Sequence, residues 1–426
     1  VTTQSETLAV RTDRTLIRPT HHSGRYVVAE ITGPPARSAR RRPPASIAFV
    51  LDRSGSMGGE KIRLVKEAVR QGIDRLAPDD RFAVVVYDDV IDVVAPSAPA
   101  TGDARRRALE ALAPIDARGT TALAEGWLRG AEQVAAGLST EGVDRVLLLT
   151  DGLANVGITD PVELERHARE LRARGVSTST FGVGRDFDER LLQAMADAGA
   201  GAFRYIETAS QIPDHIAGEV GEVLEVTARD VALVVTSPDR VQVEPVTPYP
   251  VEGDGTTRTL LRLGDLVADQ ALRLVLRLRF PLGETGRQVG ATFELAGRDG
   301  PLGGGAGTLT WTYAPSQAND GQPRDVTVDR VVARTYADRA LRDVVHWNRE
   351  GDFERARHEL QAVARRIREY AGADPELRAI VDELERAAET WSQARLEPER
   401  KSAYASAHYA MRMRASDGMA LRRSRS

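Results

Sequence analysis

Asp52, Ser54 and Ser56 alternate along a short stretch that follows directly on the apolar run 46–51. In a tight loop after a strand, alternate side chains can turn toward one point, and Gly55 lets the chain bend between the two serines. Two further loops carry matching chemistry. Thr120 follows Gly119 just ahead of a helical pattern, and Asp151-Gly152 follows the apolar run 147–150. Thr121 beside Thr120 leaves the third hydroxyl open between the two. The set offers carboxylates and hydroxyls with no Cys or His, and all-oxygen ligation suits a hard cation: Mg2+ first, with Mn2+ or Ca2+ as alternatives. If Ser54, Ser56 and Thr120 bind directly while Asp52 and Asp151 act through water, the ion keeps most of its charge and seeks an anionic ligand from outside. Any one of these residues alone reads as a helix N-cap. All five in register with strand ends weigh for metal.

Open α/β sheets gather ligands where parallel strands end. The runs 46–51, 82–87, 143–150, 176–183 and 203–206 read as buried strands. Between and after them, 60–76, 104–112, 122–138, 161–173, 189–198 and 212–223 carry helical spacing, as in Ile62, Val65, Val69, Ile73 and Leu76. The alternation predicts an α/β fold, a doubly wound and mostly parallel Rossmann-like sheet, over residues 45–225. After that the pattern changes: 231–235, 241–246, 257–263, 271–280, 288–295 and 308–313 are strand-like runs broken by Gly and Pro, which predicts a β-sandwich. Strand character within 6–33 has no partner unless it joins that sandwich. The expected plan is therefore 1–44 as first sandwich strands plus linker, 45–225 as an inserted α/β domain, 226–320 as the sandwich, and 321–426 as a C-terminal helical region.

The strings Ile47-Ala-Phe-Val-Leu-Asp-Arg-Ser-Gly-Ser-Met57 and Val146-Leu-Leu-Leu-Thr-Asp-Gly152, with Thr120 between them, resemble the von Willebrand factor A (VWA) family. Asp52, Ser54, Ser56, Thr120 and Asp151 are similar, in the family's order, to its metal-ion-dependent adhesion site. The flanking strands resemble, in architecture only, inter-alpha-trypsin-inhibitor heavy chains and bacterial VWA proteins of the calcium-activated-chloride-channel-like group. The resemblance implies metal-dependent protein–protein binding without catalysis, the ion being completed by an exposed Asp or Glu of a protein partner. It further implies work beside a MoxR-type AAA+ ATPase or within a multiprotein assembly.

Other readings are weaker. A phosphotransferase of the haloacid-dehalogenase type needs a second Asp where Ser54 stands and a suitably placed Lys, and neither Lys61 nor Lys66 lies in a strand-end loop. No Gly-x-Ser-x-Gly elbow, His-Glu-x-x-His pair or phosphate-binding Lys loop occurs. A third reading makes the C-terminal helices the main binding surface of a scaffold. The arginines of the linker at 34–44 and the pair His21-His22 read as solvated loop, and Trp347 with Phe353 as a core contact between helices. A net charge of −4 gives no global field for nucleic acid. No run approaches the roughly 20 apolar residues of a membrane span. With no cysteine and no signal peptide at Val1, a cytoplasmic location is expected, although the N-terminus could be trimmed.

Overall fold

The computed structural model describes residues 2–4, 7–36, 42–237, 240–253 and 257–423. Arg37, Arg40 and Arg41 of the linker lie outside the described residues. Arg42 is described, and its guanidinium makes a two-point ion pair with Asp80, with one contact at 2.7 Å. The chain divides into two compact units, one from Ala36 to Thr227 with Asp417–Met419, the other holding the remainder.

The chain opens with β1 (Thr2–Gln4), β2 (Leu8–Thr12), β3 (Leu16–Ile17) and β4 (Ser23–Thr32). The α/β unit then runs β5 (Ala45–Asp52), α1 (Glu60–Asp74), β6 (Arg81–Tyr87), β7 (Ile91–Pro99), α2 (Gly102–Leu112), α3 (Leu123–Ala135), β8 (Val143–Thr150), α4 (Pro161–Ala173), β9 (Val176–Val183), α5 (Glu189–Ala198), β10 (Ala200–Ile206) and α6 (Ile212–Leu224). Its sheet has the order β10-β9-β8-β5-β6-β7. β5 and β8 are buried at every position, as strands covered by helices on both faces must be. The chain runs outward from β5 to β6 on one side and resumes on the other at β8. The crevice between β5 and β8 is thus the switch point where such sheets bind ligands. Leu51 pairs with Leu149, so both strands end level and deliver Asp52 and Asp151 side by side.

The sheet is parallel except at β7, which pairs antiparallel with β6. Sequence reasoning passed over β7 because Pro96 and Pro99 break its apolar pattern. An edge strand tolerates proline, since one row of its N–H groups faces no neighbour.

The second unit continues with β11 (Val226–Thr236), β12 (Gln242–Pro245), β13 (Val251–Gly253), β14 (Arg258–Val267), β15 (Ala271–Phe280), β16 (Gln288–Gly297) and β17 (Gly300–Tyr313). Two sheets form, β1-β2-β4-β15-β12 and β13-β14-β11-β16-β17-β3. The N-terminal strands therefore do pair with strands from beyond the α/β unit. Residues 23–32 lie antiparallel to 271–280 over the full length of β4. Alternation sorts the faces: Val27, Ala29, Ile31, Leu274 and Leu276 join Leu233, Phe293 and Trp311 in one core between the sheets. Val28 and Val275 point the other way, onto Val328 and Val332.

Those last two valines belong to the helical region, α7 (Ser316–Gly321), α8 (Val326–Arg349), α9 (Phe353–Ala371), α10 (Pro375–Trp391) and α11 (Glu397–Met411). Asp325, Asp352 and Asp374 accept N-terminal backbone N–H groups of α8, α9 and α10, which fixes where each begins. Asn348 is buried and fully used. Its amide donates to the carbonyls of Trp391 and Gln393, and its oxygen accepts from the Arg395 N–H and the Arg400 guanidinium. Trp347 packs at the margin of the helical core, with its ring 3.4 Å beneath the Arg355 guanidinium. His21 and His22 are exposed in the loop before β4. Among the described residues, no helix is long and apolar enough to cross a membrane.

Candidate metal centre

At the end of β5 the Asp52 carboxylate is fully buried. One oxygen accepts the Ser54 backbone N–H at 2.7 Å, and the other accepts the Thr150 hydroxyl from the end of β8 at 2.7 Å. The Ser54 and Ser56 hydroxyl oxygens lie 3.2 Å apart, and Ser56 donates to Asp151 Oδ1 at 2.6 Å. Four of the five sequence-selected residues are therefore joined by one hydrogen-bonded path. Thr120 is brought close by backbone. Gly119 has φ +68°, a left-handed conformation that suits glycine, and its carbonyl accepts the Gly55 N–H at 3.2 Å. The Thr120 side chain is exposed and bonds none of the other four among the described residues. Thr121 is buried instead, its hydroxyl 3.4 Å from where a Cβ on Gly152 would stand. Both threonines thus flank the site, on opposite sides of the question the sequence left open.

The donor set fits a hard divalent cation. Two oxygens bound at about 2.1 Å and a right angle lie about 3 Å apart, the separation of the two serine hydroxyls here. Burial raises the Asp52 carboxyl above its ordinary range, against the hydrogen bonds from Thr150 and Ser54, and the neighbouring Asp151 adds to the rise. Among the described residues Asp52 has no cationic side-chain partner. A buried carboxylate in that position is short of a positive charge. No group of three or more His, Asp and Glu side chains among the described residues is gathered to hold a metal, so a cation held here needs the hydroxyls.

Residues 46–217 match the family model for the von Willebrand factor type A domain. This stretch of the chain is a von Willebrand factor type A domain. The Escherichia coli protein YfbK is 32% identical over 197 residues, 46% of this chain and 34% of that protein. Human inter-alpha-trypsin inhibitor heavy chain H4 is 30% identical over 181 residues, 40% of this chain and 20% of its own length. The chain therefore spans only a minor part of either relative. A von Willebrand factor type A protein from Catenulispora acidiphila superimposes over 99% of this chain and 100% of its own, with a TM-score of 0.71 at 18% identity, so the sandwich and helices around the VWA domain share its fold.

Within the VWA domain, two features beside the five residues escaped sequence reasoning. The first is a clamp. Arg53, buried between the site residues Asp52 and Ser54, donates to Asp88 Oδ1 at 3.2 Å and Asp92 at 2.6 Å, while Arg118 donates to Asp88 Oδ2 at 2.7 Å. Burial pushes the Asp88 carboxyl up, but hydrogen bonds from the Val90 N–H, Arg118 and Arg53 hold it below its ordinary range. The Arg118 N–H also donates to the Arg53 carbonyl at 2.7 Å, so one carboxylate fixes the first and second loops together. The second feature is Lys61. From the first turn of α1 its ammonium donates to Asp151 Oδ2 and, at 3.2 Å, to the Ser56 carbonyl. That corrects one step of the sequence argument: Lys61 does reach a strand-end carboxylate without lying in a strand-end loop. Helical side chains lean toward the N-terminus, and position two of a helix opening just after the Ser56 loop was the available signal. Ser54 still stands where phosphotransferase chemistry of that type needs a second Asp.

Proposed function

We propose that this chain binds a protein partner through a divalent cation held by Ser54, Ser56 and Thr120 directly and by Asp52 and Asp151 through water. The observation that carries the proposal is the convergence of two buried carboxylates with two hydroxyls 3.2 Å apart at the switch point of the sheet. VWA domains typically bind a divalent metal and mediate protein interaction, and are generally adhesion or scaffold modules. A bound cation would supply an electrophilic position open to an oxygen ligand, and Ser56 and Thr120 are the exposed members of the set. Val90, Leu153 and Val156 are exposed on the loops after β6 and β8, giving an apolar margin for a docked surface. The partner's contribution is an exposed Asp or Glu. A MoxR-type AAA+ ATPase or a multiprotein assembly, in the cytoplasm, is the setting this reading favours, with Mg2+ as the ion and Mn2+ or Ca2+ as alternatives.

Calorimetric titration of the full chain with Mg2+, Mn2+ and Ca2+ tests the metal, and capture of partners in Mg2+ against EDTA tests the interaction. Asp52→Ala is expected to abolish ion binding with the fold retained by circular dichroism. Losing the metal-bridged contact should weaken partner affinity by roughly 2–5 kcal/mol, as for a buried charge pair that loses one member. Ion binding by Asp52→Ala equal to wild type would refute the assignment.

A second reading, binding through the helical region, has its own observation. A cleft of about 370 Å3 between sheet and helices is lined by Glu244, Arg277, Tyr336, Arg339, Asp343 and Arg366. Arg277 and Arg366 make no ion pair among the described residues, although Glu244 stands opposite Arg277 across the ladder. Partner capture that survives EDTA but is lost in Arg277→Ala/Arg366→Ala would favour this surface over the metal.

A further inference from the structure

Lys61 stands where a cation would be wanted. Asp151 is almost fully enclosed, with 1% of its side chain exposed, and its two oxygens are divided between Ser56 and Lys61. The Lys61 side chain is 31% exposed and its ammonium holds a second acceptor, the Ser56 carbonyl, so the side chain lies along the rim of the site. The asymmetry with Asp52 is plain: one carboxylate has a resident cation, the other has only neutral donors.

Resting on the metal-site reading above, we propose that Lys61 is an internal counter-cation that trades affinity for metal against affinity for the partner's anion. The formal charges decide both halves. Asp52 and Asp151 with a divalent ion sum to zero, so without Lys61 the pull on an anion comes from the ion's own charge, which its neutral hydroxyl ligands leave in place, and not from a net charge on the site. With Lys61 included, the loaded site keeps one positive charge. The same ammonium repels the incoming cation, because like charges a few ångströms apart interact strongly where water is largely excluded. Lys61 therefore makes metal binding weaker and carboxylate binding to the loaded site stronger. An exposed surface lysine would do neither, being screened by solvent.

The test uses the full chain and three variants, Lys61→Met, Lys61→Arg and Asp52→Ala. Mn2+ affinity is read by calorimetry. Anion affinity is read with acetate as the probe, from the broadening of its methyl proton resonance by the Mn2+-saturated protein. Lys61→Met is expected to bind Mn2+ at least tenfold more tightly and to broaden acetate several-fold less at equal saturation. Lys61→Arg keeps the charge and is expected to match wild type in both. Thermal unfolding of each variant shows whether the fold is intact. If Lys61→Met lowers the unfolding temperature while Mn2+ affinity stays the same or falls, Lys61 is a structural ion pair and the proposal is overturned. If metal affinity rises but acetate broadening is unchanged, the anion half is overturned. If wild type and Asp52→Ala bind Mn2+ alike, the metal-site reading itself fails, an outcome distinct from either.

Discussion

His215 shows how one buried ring sets a pH dependence. It lies on α6, its Nδ1 has no hydrogen-bond partner among the described residues, and burial together with the nearby Arg204 lowers its pKa to about 4. Well above pH 6.5, the ordinary histidine pKa, the ring is neutral in both folded and unfolded chains. As pH falls from there toward 4, the unfolded chain takes up a proton that the folded chain refuses. Stability is lost over that window, by roughly 3 kcal/mol in full. His215→Gln should flatten the decline, measured as the difference in urea unfolding free energy between pH 7 and pH 4.5. Identical slopes in wild type and variant would show that the ring protonates freely in the fold. At the same scale, Asp52, Ser54, Ser56 and Asp151 were legible in the sequence because adjacency in the chain, or position at the end of an apolar run, places them. Arg53, Asp88 and Lys61 were not. Their contacts depend on the relative height of strand ends and on the lean of a helical side chain, and neither leaves a periodic trace.

At the scale of elements, α3 sits tightly against its sheet. It follows the Thr120 loop directly and lies across β5, β6 and β8 on a face of small residues. A Cβ on Gly130 would come within 2.2 Å of Val50 Cγ2, and one on Gly126 within 2.5 Å of the Tyr87 ring. The helix can approach the sheet this closely only because both positions lack a side chain. Gly130→Ala should therefore destabilise the chain by about 1–3 kcal/mol through overpacking, despite the better helix propensity of alanine. Adding Val50→Ala should recover part of that loss in a double-mutant cycle by chemical denaturation. Simple additivity of the two changes would mean that the helix shifts freely and is not seated by contact. The helix itself was legible from its spacing, but the role of Gly126 and Gly130 was not, since close approach involves a second element. β7 was hidden for the related reason that its prolines are excused only by its place at the edge.

For the molecule as a whole, the sandwich is closed by residues far apart in the chain. The Trp311 indole N–H donates to Thr12 Oγ1 at 3.2 Å and to the Arg14 carbonyl at 3.1 Å, and its ring is fully buried in the core between the sheets. Trp311→Ala removes that bulk and both hydrogen bonds, with an expected loss of about 3–5 kcal/mol by chemical denaturation. A loss below about 1 kcal/mol would show that the indole is not part of what joins the two ends.

That closure sets a timetable for synthesis. Glu30 on β4 meets Arg273 on β15 from 243 positions away. At roughly 5–20 residues per second, a ribosome needs on the order of ten to fifty seconds to deliver the second strand after the first. During that interval β2 and β4 can pair locally, but the other edge of β4 stays open, with Val27, Ala29 and Ile31 on a face that still lacks its cover. Unpaired apolar edges invite other nascent chains, and charged side chains discourage them. Arg25 precedes that apolar stretch, and Glu30 interrupts it between Ala29 and Ile31. Both charges thus lie on a strand whose second partner is still to be made.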